Sequence, residues 1–265
     1  MGVRFSSVLV RLASGAALVL AAALPVRAQA GPAAAMDDRW HFAVVPYFWF
    51  AGIDGTVSVK GLVEVPIEKS FSDVMSDFDI GLLGHFEGRR NRWGFALDVL
   101  YLNLGAPVAA EAPVLGALGI DTDVRLLMTE GLAFYRAAHG GNEDNPAHLD
   151  LLAGARYVGT KARLANDALE TGEQALHWAD ALVGLRFRVP LGSRVGLIGR
   201  ADLAGFGSKL TWNLEGDLAV RLSERWGLGA GWRHLDIDYD EGEGGDAKVF
   251  GVAFDGPRTW VAYSW

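Results

Sequence analysis

The feature that most constrains this chain is a two-residue alternation of apolar and polar side chains over long segments. It is clearest in residues 210–222, where one face is oily and the other polar. The oily face holds Leu210, Trp212, Leu214, Gly216, Leu218, Val220 and Leu222, and the polar face Thr211, Asn213, Glu215, Asp217, Ala219 and Arg221. A period of two residues predicts a β-strand, because successive side chains of a strand point to opposite faces of the sheet.

The alternation recurs near residues 93–101, 149–157, 179–189 and 197–203. It is irregular at 124–136, where Glu130 interrupts an oily row, and at 233–239, where it slips by one residue. Runs of about 11 to 14 residues exceed the usual strand length of about 5 or 6 and match a tilted transmembrane strand. A soluble sandwich also alternates. Strand length and the charged second face favour an all-β fold, a single antiparallel transmembrane β-barrel.

The N-terminus has the pattern of a secretory signal peptide. Arg4 and Arg11 flank a small n-region, an apolar stretch of about a dozen residues follows, and Ala28-Gln29-Ala30 offers a cleavage site. A membrane-spanning helix needs about 20 apolar residues, so an anchor is the weaker alternative. We predict a cleaved signal peptide at 1–30, an N-terminal periplasmic segment at 31–39 and an outer-membrane barrel at 40–265.

Charge and cysteine content limit the functions open to the mature chain. Removing residues 1–30 deletes three arginines and no acid, which takes the formal charge from −8 to −11. Nucleic acid is therefore an unfavourable partner. Cysteine is absent, so neither disulfides nor thiol chemistry contribute. No low-complexity linker divides the chain, and we expect one domain.

The connections predict the number of strands. In outer-membrane barrels both termini are periplasmic and the periplasmic turns are short. The turns at 88–92, 190–194 and 222–226 and the longer connection 137–147 would lie at one end. The connections 66–77, 105–119, 161–175 and 240–246, with a short turn near Gly207-Ser208, would lie at the other. Ten strands result if 40–62 is one strand bent at Gly52 and Gly55, and 247–265 another with a bulge at Gly256-Pro257. Breaking both ends into hairpins gives twelve.

Aromatic residues lie at the predicted strand ends, where a membrane barrel carries aromatic girdles. One rim would hold Trp93, Trp226, Tyr263 and Trp265, and the other Tyr101, Tyr157, Trp178 and Trp212. The alternative is that these are core aromatics of a soluble protein. Their clustering at strand ends favours the girdles.

The polar face predicts a charge network in the lumen. It contains Asp98, Asp150, Arg156, Asp180, Arg186, Arg188, Arg200, Asp202, Glu215, Asp217, Arg221 and Arg233. Confined acids and bases are normally paired because an unpaired charge there is costly. The charges would form a salt-bridged plug or line the constriction of a narrow pore. Open channels need about 16 strands, so about ten strands favour the plug or a narrow, selective passage.

A second candidate site is the segment 233–246. His234, Asp236 and Asp238 share one face near the extracellular rim and could activate water, as outer-membrane proteases resembling the omptins do. The alternative is a solvated acidic loop, which we favour. Asp236, Asp238 and Asp240 begin like a calcium loop, but Glu241 stands where that loop needs glycine and Ala247 where it needs glutamate. The sequence predicts neither a metal site nor a cofactor.

Short motifs along the mature chain resemble a group of uncharacterised proteobacterial outer-membrane β-barrel proteins. They include Pro46-Tyr47-Phe48-Trp49, Ser70-Phe71-Ser72-Asp73, Arg92-Trp93-Gly94, Gly154-x-Arg156-Tyr157, Asp202-x-x-Gly205-Phe206-Gly207 and Gly231-Trp232-Arg233. The final segment, with Val261, Tyr263 and Trp265, resembles the C-terminal signal of the barrel-assembly machinery. The resemblance implies the barrel fold and the cell outer membrane as location. As partners we expect outer-membrane lipid, lipopolysaccharide and, during biogenesis, the barrel-assembly machinery. We expect a non-enzymatic structural component or narrow channel for small solutes, with an outer-membrane hydrolase as the alternative.

The sequence makes a prediction about location. In a Gram-negative host, the protein should be recovered without residues 1–30 in the outer-membrane fraction. A barrel that resists detergent unfolding should also migrate differently on gels with and without heating. Mass spectrometry and fractionation check both points, and recovery in the soluble periplasm would contradict the barrel.

Overall fold

The structure is a computed structural model that describes residues 38–57, 65–76, 78–107, 121–142, 145–166, 169–242 and 248–265. The predicted signal peptide and most of the segment 31–39 lie outside these ranges. The elements are β1 (Trp40–Trp49), β2 (Gly52–Val57), β3 (Val65–Lys69), α1 (Phe71–Ser76), β4 (Phe78–Arg90), β5 (Trp93–Pro107), β6 (Asp121–Asn142), β7 (Asn145–Asn166), β8 (Leu169–Pro190), β9 (Val195–Gly205), β10 (Leu210–Arg221), β11 (Trp226–Glu241) and β12 (Lys248–Ser264).

Ten antiparallel strands close into a barrel, which confirms the predicted fold and strand number. β1 pairs with β4, each strand from β4 to β12 pairs with the next, and β12 returns to β1. Backbone hydrogen bonds between Phe42 and Trp265, both 3.0 Å long, complete the closure beyond the end of β12. The hairpin β2–β3 adds two strands to the sheet outside the ring.

β1 and β2 follow one another along β12, in agreement with the bent strand that the sequence predicts at 40–62; residues 58–62 lie outside the described ranges. Both pair with β12 in a single register, because Trp49 opposes Arg258 and Gly52 opposes Asp255. The predicted bulge at Gly256-Pro257 is wrong, since the β11–β12 register continues through it without a shift. Gly256 is needed for a different reason: a Cβ there would lie 2.2 Å from the carbonyl oxygen of Phe50.

Two predicted connections are instead strand. β6 and β7 continue through most of 137–147, and β7 and β8 continue through most of 161–175. Polar composition suggested loops there, but long hairpins can carry polar residues beyond the membrane because water solvates them. A third predicted connection, 66–77, contains most of β3 and all of α1.

The short helix α1 begins with a side-chain cap. The Ser70 hydroxyl and the Ser70 backbone N–H both donate to Asp73 Oδ2, at 2.6 and 3.0 Å. These hydrogen bonds hold the pKa of Asp73 below its usual value. No helix in the described ranges is long and apolar enough to cross a membrane.

We call the barrel end with Trp40, Trp265 and the turns 91–92, 191–194 and 222–225 the terminal rim, and the opposite end the distal end. Alternation is unbroken along β11, where Arg233, Leu235, Ile237 and Tyr239 are buried. The apparent slip at 233–239 is therefore not a shift of register. The inward-facing residues change from polar to apolar along one regular strand. Near the terminal rim the outer face is apolar and the inner face polar, whereas towards the distal end His234, Asp236 and Asp238 face outwards.

β6 accounts for the other irregular segment, 124–136. Glu130, which interrupts the oily row in the sequence, is buried inside the barrel together with Leu126, Met128, Leu132 and Phe134. The oily row thus faces the lumen, while Leu127 on the alternate face is exposed.

The outer apolar band yields a prediction. Leu97 is 52% exposed and lies between the predicted girdle residues Trp93 and Tyr101 on β5, and Leu191 is 59% exposed in a terminal-rim turn. Leu97→Arg should cost about 2–4 kcal/mol because it places a charge near the middle of the hydrocarbon. Leu191→Arg, the control, should cost less than about 1 kcal/mol at the interface.

Urea unfolding in lipid bilayers measures both. Equal destabilisation by the two substitutions would mean that the band is wrongly located.

Candidate functional site in the barrel lumen

The centre of the lumen is filled by paired charges. Arg156 is fully buried, and its guanidinium donates to Glu130 Oε1 at 2.8 Å and to Asp202 Oδ1 at 2.6 Å. Arg200 donates to Glu130 Oε2 at 2.7 Å. The Arg200 Nε lies 2.8 Å from Asp202 Oδ2 and forms an ion pair with it. The Nε–H bond does not point at that oxygen, so this contact is not a hydrogen bond. The two arginines thus share the same two carboxylates.

The pairing continues across β10, β11 and β12. Asn213 donates to Asp202 and Glu215, each at 3.0 Å, and accepts a hydrogen bond from Arg233. Arg258 lies 2.7 Å from Glu215 and also binds Asp217. We call this set the ion-pair layer: Glu130, Arg156, Arg200, Asp202, Asn213, Glu215, Asp217, Arg233 and Arg258. Its four arginines and four carboxylates balance.

A second chain of polar contacts lies on the side of the lumen formed by β1 and β4–β8. The Tyr47 hydroxyl donates to Asp98 at 2.9 Å, and the His85 imidazole lies 3.3 Å from Asp98 and 3.7 Å from Glu87. Arg186 pairs with Glu87 and donates to Asp150 at 2.9 Å. Asp150 also accepts a hydrogen bond from Arg136 at 2.9 Å.

The sequence predicted Asp180 in the lumen charge network, but its carboxylate holds a turn instead. It accepts hydrogen bonds from the backbone N–H groups of Gly207 and Ser208 and from the Ser208 hydroxyl, at 2.6–2.9 Å. This anchors the β9–β10 turn against β8. Phe206 in that turn has a φ of 91° and is 98% exposed.

Arg221 is also placed differently from the prediction. It lies at the terminal rim, where its guanidinium donates to the Ser193 carbonyl at 3.2 Å. Sequence reasoning left out Glu87, Glu130, Arg136 and Arg258. Glu130 could have been found, because an acid at an alternating position in an apolar row indicates an inward-facing charge.

The aromatic residues of the terminal rim face outwards. Trp93, Trp226 and Trp265 are 64%, 49% and 53% exposed. Trp93 packs on Tyr135, and Tyr263 packs between Trp226 and Trp265.

Trp178 was predicted to belong to the second aromatic girdle, and this prediction is wrong. It is only 6% exposed and faces the lumen, where it stacks on Tyr239 with ring centroids 4.2 Å apart. Tyr157 is exposed, and Trp212 packs against His234 on the outer wall. Tyr101 is partly exposed on the outward face of β5.

An apolar layer fills the lumen on the distal side of the ion pairs. It consists of Leu100, Leu126, Met128, Val158, Leu176, Trp178, Leu235, Ile237, Tyr239, Phe250, Val252 and Phe254. All are at most 9% exposed. Trp49 joins the two layers, because its ring packs on Phe254 and lies under the Arg233 guanidinium at 4.6 Å.

A cavity of about 330 Å³ lies in the lumen on the terminal-rim side of the ion-pair layer. Its walls include Ala43, Phe134, Leu152, Trp260 and Ala262. Charged groups also line it, among them Arg186, Arg188, Glu87 and Asp98. The ion-pair layer and the apolar layer lie between this cavity and the distal end.

The predicted His-carboxylate set faces away from this cavity. His234, Asp236 and Asp238 share the outer wall of β11, and His234 Nδ1 lies 2.9 Å from Asp255 Oδ1. Within the described ranges no group of three or more His, Asp or Glu residues could hold a metal ion.

These features define a β-barrel of the outer-membrane type. No family model and no curated protein matches the chain. Similar solved structures include Ail, the attachment invasion locus protein of Yersinia pestis, at 13% identity and a TM-score of 0.37, covering 87% of this chain and 100% of that one. The translocator domain of autotransporter NalP from Neisseria meningitidis is 12% identical, with a TM-score of 0.39 and coverage of 97% and 96%.

A Pseudomonas aeruginosa FadL homologue is 10% identical, with a TM-score of 0.34 and coverage of 86% and 90%. At these identities and TM-scores, the similarities assign neither a function nor a family to the chain.

The ion-pair layer yields a prediction about stability. Arg156→Met removes the guanidinium and leaves Glu130 and Asp202 confined with less counter-charge. Breaking a buried pair in this way should cost about 3–5 kcal/mol. Arg194→Met, at an exposed arginine of a terminal-rim turn, is the control and should change stability by less than about 0.5 kcal/mol.

Unfolding in bilayers measures the difference between these variants. If Arg156→Met were as stable as the control, the guanidinium would be hydrated rather than confined.

Proposed function

We propose that the protein is a non-enzymatic component of the outer membrane whose barrel is closed along its axis. The observation that carries the proposal is the succession of two filled layers in one lumen. A solute that passed the ion-pair layer would still meet twelve packed apolar side chains. A narrow hydrophobic constriction excludes ions by dewetting, and a charged one binds them, so the two layers together oppose conduction.

The outer surface supports the membrane location. Between Trp93 and Tyr101, eight residues of β5 rise about 26 Å along the strand. With a tilt of about 40° this corresponds to about 20 Å, close to the apolar band of about 25 Å in such barrels. Short turns at the terminal rim favour a periplasmic position for that end.

The C-terminal strand supports the proposed partners. Val261 is 43% exposed on the outer wall near Tyr263 and Trp265, and Trp265 pairs with β1. A segment that closes the barrel and shows its aromatic residues outside suits recognition by the assembly machinery. The outer apolar band suits lipid, and the distal hairpins would lie among lipopolysaccharide.

Conductance tests the closed lumen. In planar bilayers, neither the wild-type protein nor Arg200→Ala should give steady currents, because the apolar layer remains in both. A variant combining Arg200→Ala with Trp178→Ala and Tyr239→Ala should leak, since both layers are then weakened. Leu97→Ala on the outer wall is the control and should stay closed.

Steady, ion-selective wild-type currents that change with Arg200→Ala would contradict the proposal and favour a channel. Turnover of peptides or lipids that is lost in His234→Gln would favour the hydrolase instead.

A further inference from the structure

Small side chains keep the lumen cavity open on the terminal-rim side of the ion-pair layer. Glu87 on β4 has an alanine opposite it on each neighbouring strand, Ala43 on β1 and Ala96 on β5, and all three residues line the cavity. Ala262 near the end of β12 lines it as well. Because protein interiors normally pack without large voids, a space of about 330 Å³ here follows from these short side chains.

The two aromatic rings in the cavity wall lie over glycines instead of projecting into the space. Trp260 is opposite Gly229, and a Cβ at Gly229 would lie 2.2 Å from Cζ2 of the indole. Phe134 is opposite Gly94, and a Cβ at Gly94 would lie 2.2 Å from Cζ of the phenyl ring. Both rings are therefore part of the wall, and the space in front of them remains open.

The arginines and carboxylates that line the cavity balance one another. The arginines among the lining residues are Arg186, Arg188, Arg200 and Arg258. The carboxylates among them are Glu87, Asp98, Glu215 and Asp217. The wall of the cavity therefore has no excess of fixed charge that would attract an ion of either sign.

These carboxylates are also bound within the protein. Glu87 pairs with Arg186, and Asp98 accepts a hydrogen bond from Tyr47. Glu215 and Asp217 both bind Arg258. An ion that entered the cavity would lose hydration and would have to compete with these contacts for a counter-charge, which is costly in a confined space.

We propose that this cavity binds an uncharged small molecule with a flat apolar body. That body would lie on the Trp260 indole and against Ala43, Ala96 and Ala262. A cavity of about 150 Å³ is enough for benzene, so about twice that volume suits a molecule of two fused rings. Because Ala43 opposes Ser264 at the end of β12, the cavity lies next to the terminal rim, from which the molecule would enter.

The test compares three probes that share a naphthalene body: uncharged 2-naphthol, anionic 2-naphthoate and cationic 2-naphthylmethylammonium. The full mature protein in lipid nanodiscs is titrated calorimetrically at neutral pH, with empty nanodiscs subtracted. 2-Naphthol should bind saturably, and added salt should leave its affinity unchanged. Each ion should bind at least about five-fold more weakly, because the cavity offers no unpaired counter-charge in place of its hydration.

Three variants locate the site. Ala262→Phe should fill the cavity and abolish binding of 2-naphthol. Gly229→Ala should weaken binding, because its Cβ displaces the Trp260 indole from the wall into the space. Ala230→Phe is the control, since it adds the same ring to the exposed outer face of β11 and should leave binding as in the wild-type protein.

Heat-modifiable migration on gels shows whether each variant has folded, and Ala43→Phe replaces Ala262→Phe if the latter does not. Three results would overturn the proposal: no saturable binding of 2-naphthol beyond empty nanodiscs, an ion that binds as tightly as 2-naphthol, or wild-type affinity in the folded Ala262→Phe variant. None of these results depends on conductance, so this test is separate from that of the closed lumen.

Discussion

Backbone hydrogen bonding in a medium without water is the constraint on which the rest of this structure depends. A strand edge facing hydrocarbon would leave N–H and C=O groups unsatisfied, at a cost of several kcal/mol each. Closure of β1 on β12 removes that edge from the ring. Once the ring is closed, alternation divides every strand into a lumen side and an outer side. Each side chain must then suit the surroundings of the side on which it lies.

The two sides exchange polarity along the barrel axis. Where the outer wall is apolar, the lumen contains ion pairs such as Arg156 with Glu130 and Asp202. Towards the distal end the lumen contains Ile237 and Phe254, and the outer wall carries His234 and Asp255. The first arrangement suits a barrel in lipid and the second a barrel in water. The boundary between them corresponds to a membrane interface.

The lumen therefore combines three environments within one ring of ten strands. An apolar layer and a balanced ion-pair layer fill its distal and central parts, and the cavity occupies the part next to the terminal rim. Because a confined charge is stable only with a partner, the balanced ion-pair layer is suited to a structural role.

The sequence by itself determined the barrel and the inward direction of Asp150, Arg156, Arg200 and Asp202, because a period of two residues assigns faces without knowledge of neighbours. It favoured ten strands but left twelve open, and closure of β1 on β12 decided for ten. It could not determine partners. Asp180 binds a turn and Trp178 stacks inside on Tyr239, since these contacts join residues from separate strands whose relative height follows from the register. The polarity change at 233–239 resembled a slip for the same reason: the sequence records which side chains alternate, and only the closed barrel decides which side meets lipid, water or protein.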